Sequence, residues 1–164
     1  MSEYRNLLIS FETFIPWLEN LNDVEETLFF KPVKEGKWST AEIIAHIMFW
    51  DKYIMQEVIP QMHEGAEVLT EEDFQVINEQ AANYVKSSNK NKNQLIDECI
   101  VARGELMSFL KNKSEEDFFS RFTLNGETVD QYTGYPHTLF NYIACFVWHD
   151  NHHKEQVEKF LAAS

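Results

Sequence analysis

The sequence predicts an all-α protein, most simply a four-helix bundle with a long connection in the middle. Three observations carry that prediction. Apolar residues recur at spacings of three and four along four long stretches, the pattern of helices with one buried face. Gly and Pro number only five and four, too few turn-formers for a many-stranded sheet. At 164 residues, with 44% hydrophobic and 14% aromatic content, the chain can bury one core and is expected to form a single domain over 1–164.

The first helix is expected from about Glu3 to Leu21, with Leu7, Leu8, Phe11, Phe14, Ile15 and Leu18 on its apolar face. Pro16 should kink it, because proline supplies no backbone donor. "NDVEETLFFKPVKEGKW" reads as a short helical turn and a loop ending at Trp38. "STAE", beginning at Ser39, is a capping-box pattern that opens the second helix, expected to reach about Met62. The third pattern is broken. Thr70 is expected to cap "TEEDFQVINEQAANYVK" up to about Ser87, "SSNKNKN" interrupts, and a helix resumes from about Asn91 to Lys111. "RFTLNGETVDQYTGYP" looks non-helical, and its Asn125-Gly126 pair suits a hairpin turn. Pro136 then falls in the first turn of the last helix, expected to run to about Ala162.

The formal charge of −13, from 27 acidic against 14 basic side chains, argues against nucleic acid or an anionic membrane surface as partner. The amino-terminal stretch lacks a signal-peptide pattern, and no apolar run approaches the roughly 20 residues that span a bilayer. A cytoplasmic protein is expected. Cys99 and Cys145 sit far apart inside apolar periodic segments and read as reduced core thiols.

Three of the six histidines crowd into "WHDNHH", residues 148–153. At about 100° per residue, His149 and His153 lie one turn apart on the inward stripe of the last helix, with Leu139, Tyr142, Ile143, Phe146, Asp150, Val157 and Phe160. His152 falls to the side. On the second helix, His46 shares the inward stripe with Ile43, Trp50, Tyr53, Ile54 and Glu57. A pair at i and i+4 can chelate one ion, and a third imidazole from another helix would leave coordination positions open, as in catalytic zinc sites. The competing reading is that each is a hydrogen-bonded core histidine. Burying three unpartnered imidazoles is costly, so something must satisfy them. His63 and His137, near helix ends, read as surface or capping residues. Asp150 could orient an imidazole or pair with a cation on a neighbouring helix; Glu57, Asn78, Tyr142 and Arg103 are weaker pocket candidates.

Two segments, "KWSTAEIIAHIMFWD" and "PHTLFNYIACFVWHDNHHKEQVEKFL", resemble the DinB-like superfamily of metal-binding four-helix bundles, of the DinB/YfiT type. The carrying features are Trp-Ser before a helix with one histidine, and a His-x-x-His-His run followed by a nearby Gln. The similarity covers essentially the whole chain. It implies up-down-down-up topology with the long crossover between helices two and three, and His46, His149 and His153 as the metal triad. The implied cofactor is a divalent ion, zinc or nickel first, with iron or manganese also compatible. The resemblance further implies a metal-dependent enzyme of the thiol S-transferase or hydrolase type, acting on a small molecule, with a low-molecular-weight thiol such as bacillithiol as one candidate cosubstrate. The alternative is a non-catalytic metal- or ligand-binding stress-response module. His152 is the candidate catalytic residue, as an orienter of the ligands or a proton shuttle beside them, with a solvent-exposed surface role as the competing reading. A homodimer is expected, because "TLFNYIACFVWH" is apolar nearly all round, with Val147 and Trp148 pointing away from the histidine stripe.

Overall fold

The computed structural model describes residues 2–71 and 73–164. The first bundle helix is divided into α1 (Glu3–Glu12) and α2 (Phe14–Asn20). The division falls where Pro16 leaves the Glu12 carbonyl without its i+4 donor, as the sequence predicts. The short α3 (Glu26–Phe29) follows. Next comes α4 (Thr40–Tyr53), opened by the expected capping box: Ser39 Oγ accepts from the Glu42 amide at 3.2 Å, and Glu42 Oε1 accepts from the Ser39 amide at 3.2 Å. The helical path continues as a π turn (Ile54–Val58) and a 3-10 turn (Ile59–Gln61), where Pro60 again removes a donor.

α5 (Phe74–Ser87) starts later than expected, capped by Asp73 rather than Thr70. Thr70 is engaged elsewhere: its amide donates to Asn125 Oδ1 at 3.0 Å, and its hydroxyl accepts from Asn125 Nδ2 at 2.8 Å. α6 (Lys92–Lys111) has an Asn91–Gln94 capping box. The short α7 (Glu115–Phe119), capped by Ser114, was not anticipated. The non-helical stretch makes β2 (Thr123–Leu124), which pairs in parallel with β1 (Glu67–Val68). Asn125 and Gly126 then turn the chain at φ 52° and 85°, the positive values a two-residue hairpin turn requires. α8 (Leu139–Ala162) begins three residues after Pro136, because Thr138 supplies the cap, accepting from the Asn141 amide at 3.1 Å.

Cys99 Sγ reaches the Ile44 carbonyl and Arg103 reaches Asp51, so α4 and α6 run in the same direction. Thr13 meets Lys154 and Trp17 meets Glu158, so α2 and α8 also run alike. Of the two residues expected away from the histidine stripe, Val147 packs against the core and Trp148 is exposed. Among the described residues no helix is long and apolar enough to cross a membrane.

The core forms two apolar clusters. One contains Leu8, Phe11, Ile54, Leu106, Leu110 and Ile143; the other contains Phe14, Leu18, Ile44, Met48, Ile96 and Val157. On each bundle helix the boundary falls beside the partners of Arg103. Its guanidinium, 0% exposed, donates to both Asp51 oxygens (2.8 and 3.1 Å), both Asp150 oxygens (2.8 and 3.2 Å) and the Phe11 carbonyl (2.9 Å). All five N–H groups are used. The rings of Phe11 and Phe14 lie 3.9 and 4.5 Å from the guanidinium carbon. Burial opposes the Arg103 charge, but Asp51 and Asp150 outweigh it and raise its pKa. Burial likewise pushes the Asp51 carboxyl up to about 6, although Arg103 pulls it back.

Arg103→Met leaves two carboxylates in the core without a counter-charge, and is expected to cost roughly 3–5 kcal/mol in urea unfolding. Replacing all three members with apolar residues of similar volume should recover most of that loss. Equal stability of Arg103→Met and wild type would show that the cluster does not join the helices.

Candidate metal centre

The helix faces position the three histidines. The Ser39 cap starts α4 so that His46 points into the bundle, and α8 presents His149 and His153 one turn apart. The Nε2 of His149 lies 3.1 Å from that of His46 and 3.1 Å from that of His153. Ligand atoms of all three fall within 4.8 Å of one another. His46 is 5% exposed and the other two are half-buried. The Trp38 ring centres 5.0 Å from that of His46.

Burial, with His153 adding to it, lowers His46 to about 4. Burial and the adjoining imidazoles lower His149 to about 3, and burial also lowers His153. The rings are therefore neutral at pH 7 and each offers a lone pair. Gln156 Oε1 lies 3.1 Å from His153 Nδ1; an amide oxygen only accepts, so the proton sits on Nδ1 and Nε2 is bare. The Nδ1 atoms of His46 and His149 are buried without a partner among the described residues.

No distribution of ring protons satisfies this set. If His149 Nε2 accepts from His46, it faces the bare Nε2 of His153 lone pair to lone pair. If it donates to His153, its own Nδ1 is an unpartnered buried acceptor. A cation that takes all three Nε2 lone pairs removes the clash of lone pairs at the shared contact and leaves the His46 and His149 protons on Nδ1. Two nitrogens each about 2.1 Å from one tetrahedral ion stand about 3.4 Å apart, close to the 3.1 Å observed. The residues fit a divalent ion.

His46 and His149 open onto a cavity of about 820 Å³ bounded by α4, α5, α8 and the loops at 69–70 and 124–133. Trp50, Phe74, Tyr142, Phe146 and Trp148 line it, with Leu124, Ala144 and Tyr132 completing its apolar surface. A second hollow of about 340 Å³, near Arg121 and Pro136, includes none of the three histidines.

His152, the candidate catalytic residue, is exposed and outside the nitrogen set. Its ring stacks on Trp148 at 5.6 Å and centres 5.4 Å from His153. Asp150 is turned to Arg103 rather than to an imidazole. Asn78 and Tyr142 line the cavity, Arg103 lies in the core, and Glu57 is exposed. His63 is exposed as expected, but His137 is buried, stacked on Phe122. Cys145 borders the cavity, where burial and then the Asp130 carboxylate push its thiol up to about 11; it stays protonated near neutral pH and is a poor nucleophile.

A family model described as the DinB superfamily matches residues 8–157. The chain belongs to the DinB superfamily. Among solved structures, YfiT from Bacillus subtilis, described as a probable metal-dependent hydrolase with an unusual four-helix bundle topology, matches with a TM-score of 0.68. It is 14% identical, over 98% of this chain and 87% of that one. The likeness establishes the four-helix bundle for this DinB-superfamily chain. The sequence matches no curated protein.

Sequence reasoning did not find Phe74, Leu124, Tyr132 or Thr133 as cavity residues of this DinB-superfamily protein. Their only local signal was an aromatic or turn residue at an uncovered position, which does not say what it faces.

The lowered His46 and His149 values give a testable pH dependence. An unfolded imidazole takes a proton near 6.5, whereas the folded sites resist until about 4 and 3. Their contribution to stability is full above 6.5 and is lost as pH falls below it, at up to about 1.4 kcal/mol per pH unit per ring. Asp51, raised in the fold, acts with the opposite sign between about 6 and its ordinary 3.8. Comparing metal-free wild type with His46→Gln/His149→Gln separates the two. The variant's urea midpoint should fall less on going from pH 7 to pH 5, and identical slopes would contradict the assignment.

Proposed function

We propose that this DinB-superfamily protein is a metal-dependent hydrolase acting on a small molecule, with a divalent ion held by His46, His149 and His153. One observation carries the reading: three neutral imidazoles meet around His149 Nε2, which lies 3.1 Å from each of the other two, and His46 and His149 open onto a cavity of about 820 Å³. The description of YfiT as a probable metal-dependent hydrolase agrees with it. Zinc and nickel are the first candidates, and iron or manganese also suits nitrogen ligands. When bound, such an ion supplies Lewis acidity and makes a water or thiol nucleophilic near neutral pH.

The chain's own residues do the rest. Gln156 fixes the His153 ring so that Nε2 faces the cluster. Trp38 and Phe146 pack against His46 and His149 and shield them from solvent. His152, exposed beside His153, carries protons between solvent and the site. Thiol transfer is the second reading, favoured by one feature: no carboxylate lines the cavity among the described residues. A metal-activated thiol needs no separate general base, whereas hydrolysis of an amide must also protonate its leaving group.

Protein prepared without a histidine tag should contain close to one divalent ion per chain by mass spectrometry of the metal. His149→Ala/His153→Ala should contain almost none while still folding. A metal-free wild type, or equal metal in the double variant, rejects the triad. Metal at full occupancy with no turnover of esters, amides or thiol-electrophile pairs assigns a binding role instead. His152→Gln should keep the metal and lower kcat about 10- to 100-fold; unchanged kcat removes the proton-carrier role.

A further inference from the structure

We propose that the cavity beside the histidines takes an uncharged, flat aromatic group, so that the substrate is a neutral aryl or arylalkyl compound whose reacting bond sits at the triad. The assignment of the reacting end rests on the metal-site reading; the class of ligand rests on the walls.

The chain is 25% charged, yet no Asp, Glu, Lys or Arg lines the cavity among the described residues. Seating an ionic group there would strip its water without supplying a counter-charge. Six aromatic side chains supply the surface: Trp50, Phe74, Tyr132, Tyr142, Phe146 and Trp148. Three are heavily exposed for their type, Phe74 at 58%, Trp148 at 68% and Tyr132 at 97%. Large aromatic surface left wet around a concave site is the usual mark of a ligand that covers it.

The polar groups in the wall are mostly occupied by the protein itself. Thr70 and Asn125 bond to each other, and Thr133 bonds to Asp130 and Asn141. Asn78 accepts from Trp50 Nε1 at 3.0 Å through its oxygen, which leaves its amide N–H2. That group lies beside the His46 ring and, like the Tyr142 hydroxyl, lines the cavity. Two donors in an aromatic box suit a neutral ligand with one or two acceptor oxygens, such as an amide or ester carbonyl.

The test uses naphthalene-2-carboxamide, naphthalene-2-carboxylate and 2-(aminomethyl)naphthalene, matched in shape and differing in charge. Each is titrated calorimetrically into metal-free wild-type protein, so that no ion attracts the carboxylate. The carboxamide should bind about tenfold more tightly than either ion. Phe74→Ser/Trp148→Ser, which changes only exposed side chains, should weaken carboxamide binding while metal content and melting temperature stay at wild-type values. Equal or tighter binding of either ion, no saturable carboxamide binding, or wild-type affinity in the double variant overturns the inference. Carboxamide binding by protein whose triad takes up no metal would uphold it and sink the metal reading; metal uptake without charge preference would do the reverse.

Discussion

A single guanidinium holds the four bundle helices in register. Arg103 on α6 binds Asp51 on α4, Asp150 on α8 and the Phe11 carbonyl on α1, and every N–H it owns is engaged. Dispersion between apolar side chains tolerates a helix sliding by a fraction of an ångström; bidentate ion pairs do not. Asp150 is the next residue after His149, and Asp51 lies five residues beyond His46. The contacts that lock α4 and α8 to α6 therefore also fix where their histidines meet. The arrangement suits specificity of register better than raw stability, because burying three charges is expensive even when they are paired.

The site divides into parts built from different material. Its histidine end stands on two long helices and is backed by packed rings. Its ligand end is closed by loops, and these too are tied down. Asp130 accepts from Asn141, Thr133 and the Tyr132 amide, so the turn carrying Tyr132 is anchored to the first turns of α8. Loops positioned by a rigid scaffold can alter what is bound without disturbing the chemistry. Here the loops also bring in a two-residue parallel strand pair that joins 67–68 to 123–124 and clips the crossover to the loop before α8.

Most of what was legible in the sequence was local. Helical periodicity located the long helices, and a separation of four placed His149 and His153 on one face. The Ser39 capping box was readable because its two halves are three residues apart. The misread features depended on partners distant in the chain. Thr70 looked like a cap but is claimed by Asn125, 55 positions away. Pro136 looked like the start of α8, yet Thr138 had the better cap oxygen. His137 was expected at the surface because it precedes a helix, and Phe122 buries it. Asp150 offered two partners to a reader of the sequence, an imidazole or a basic side chain. Only the packing of α6 against α8 shows that the guanidinium wins.

The central ion cluster bears on the metal centre through charge as well as position. Two carboxylates face one guanidinium, so with all three ionised the cluster carries one surplus negative charge. A set of three neutral imidazoles contributes none, and a divalent ion held there would bring two positive charges into a poorly solvated interior. Asp150 acts on that region: its charge favours the protonated form of His153, against the burial that lowers it. At His149, which holds the shared Nε2, the Arg103 charge acts the other way and disfavours a proton, so the cluster's two signs are felt at different rings. The second carboxylate costs stability, because burial drives Asp51 upward. Asp150 joins the two regions: its oxygens bind the Arg103 guanidinium, and its charge reaches the His153 ring.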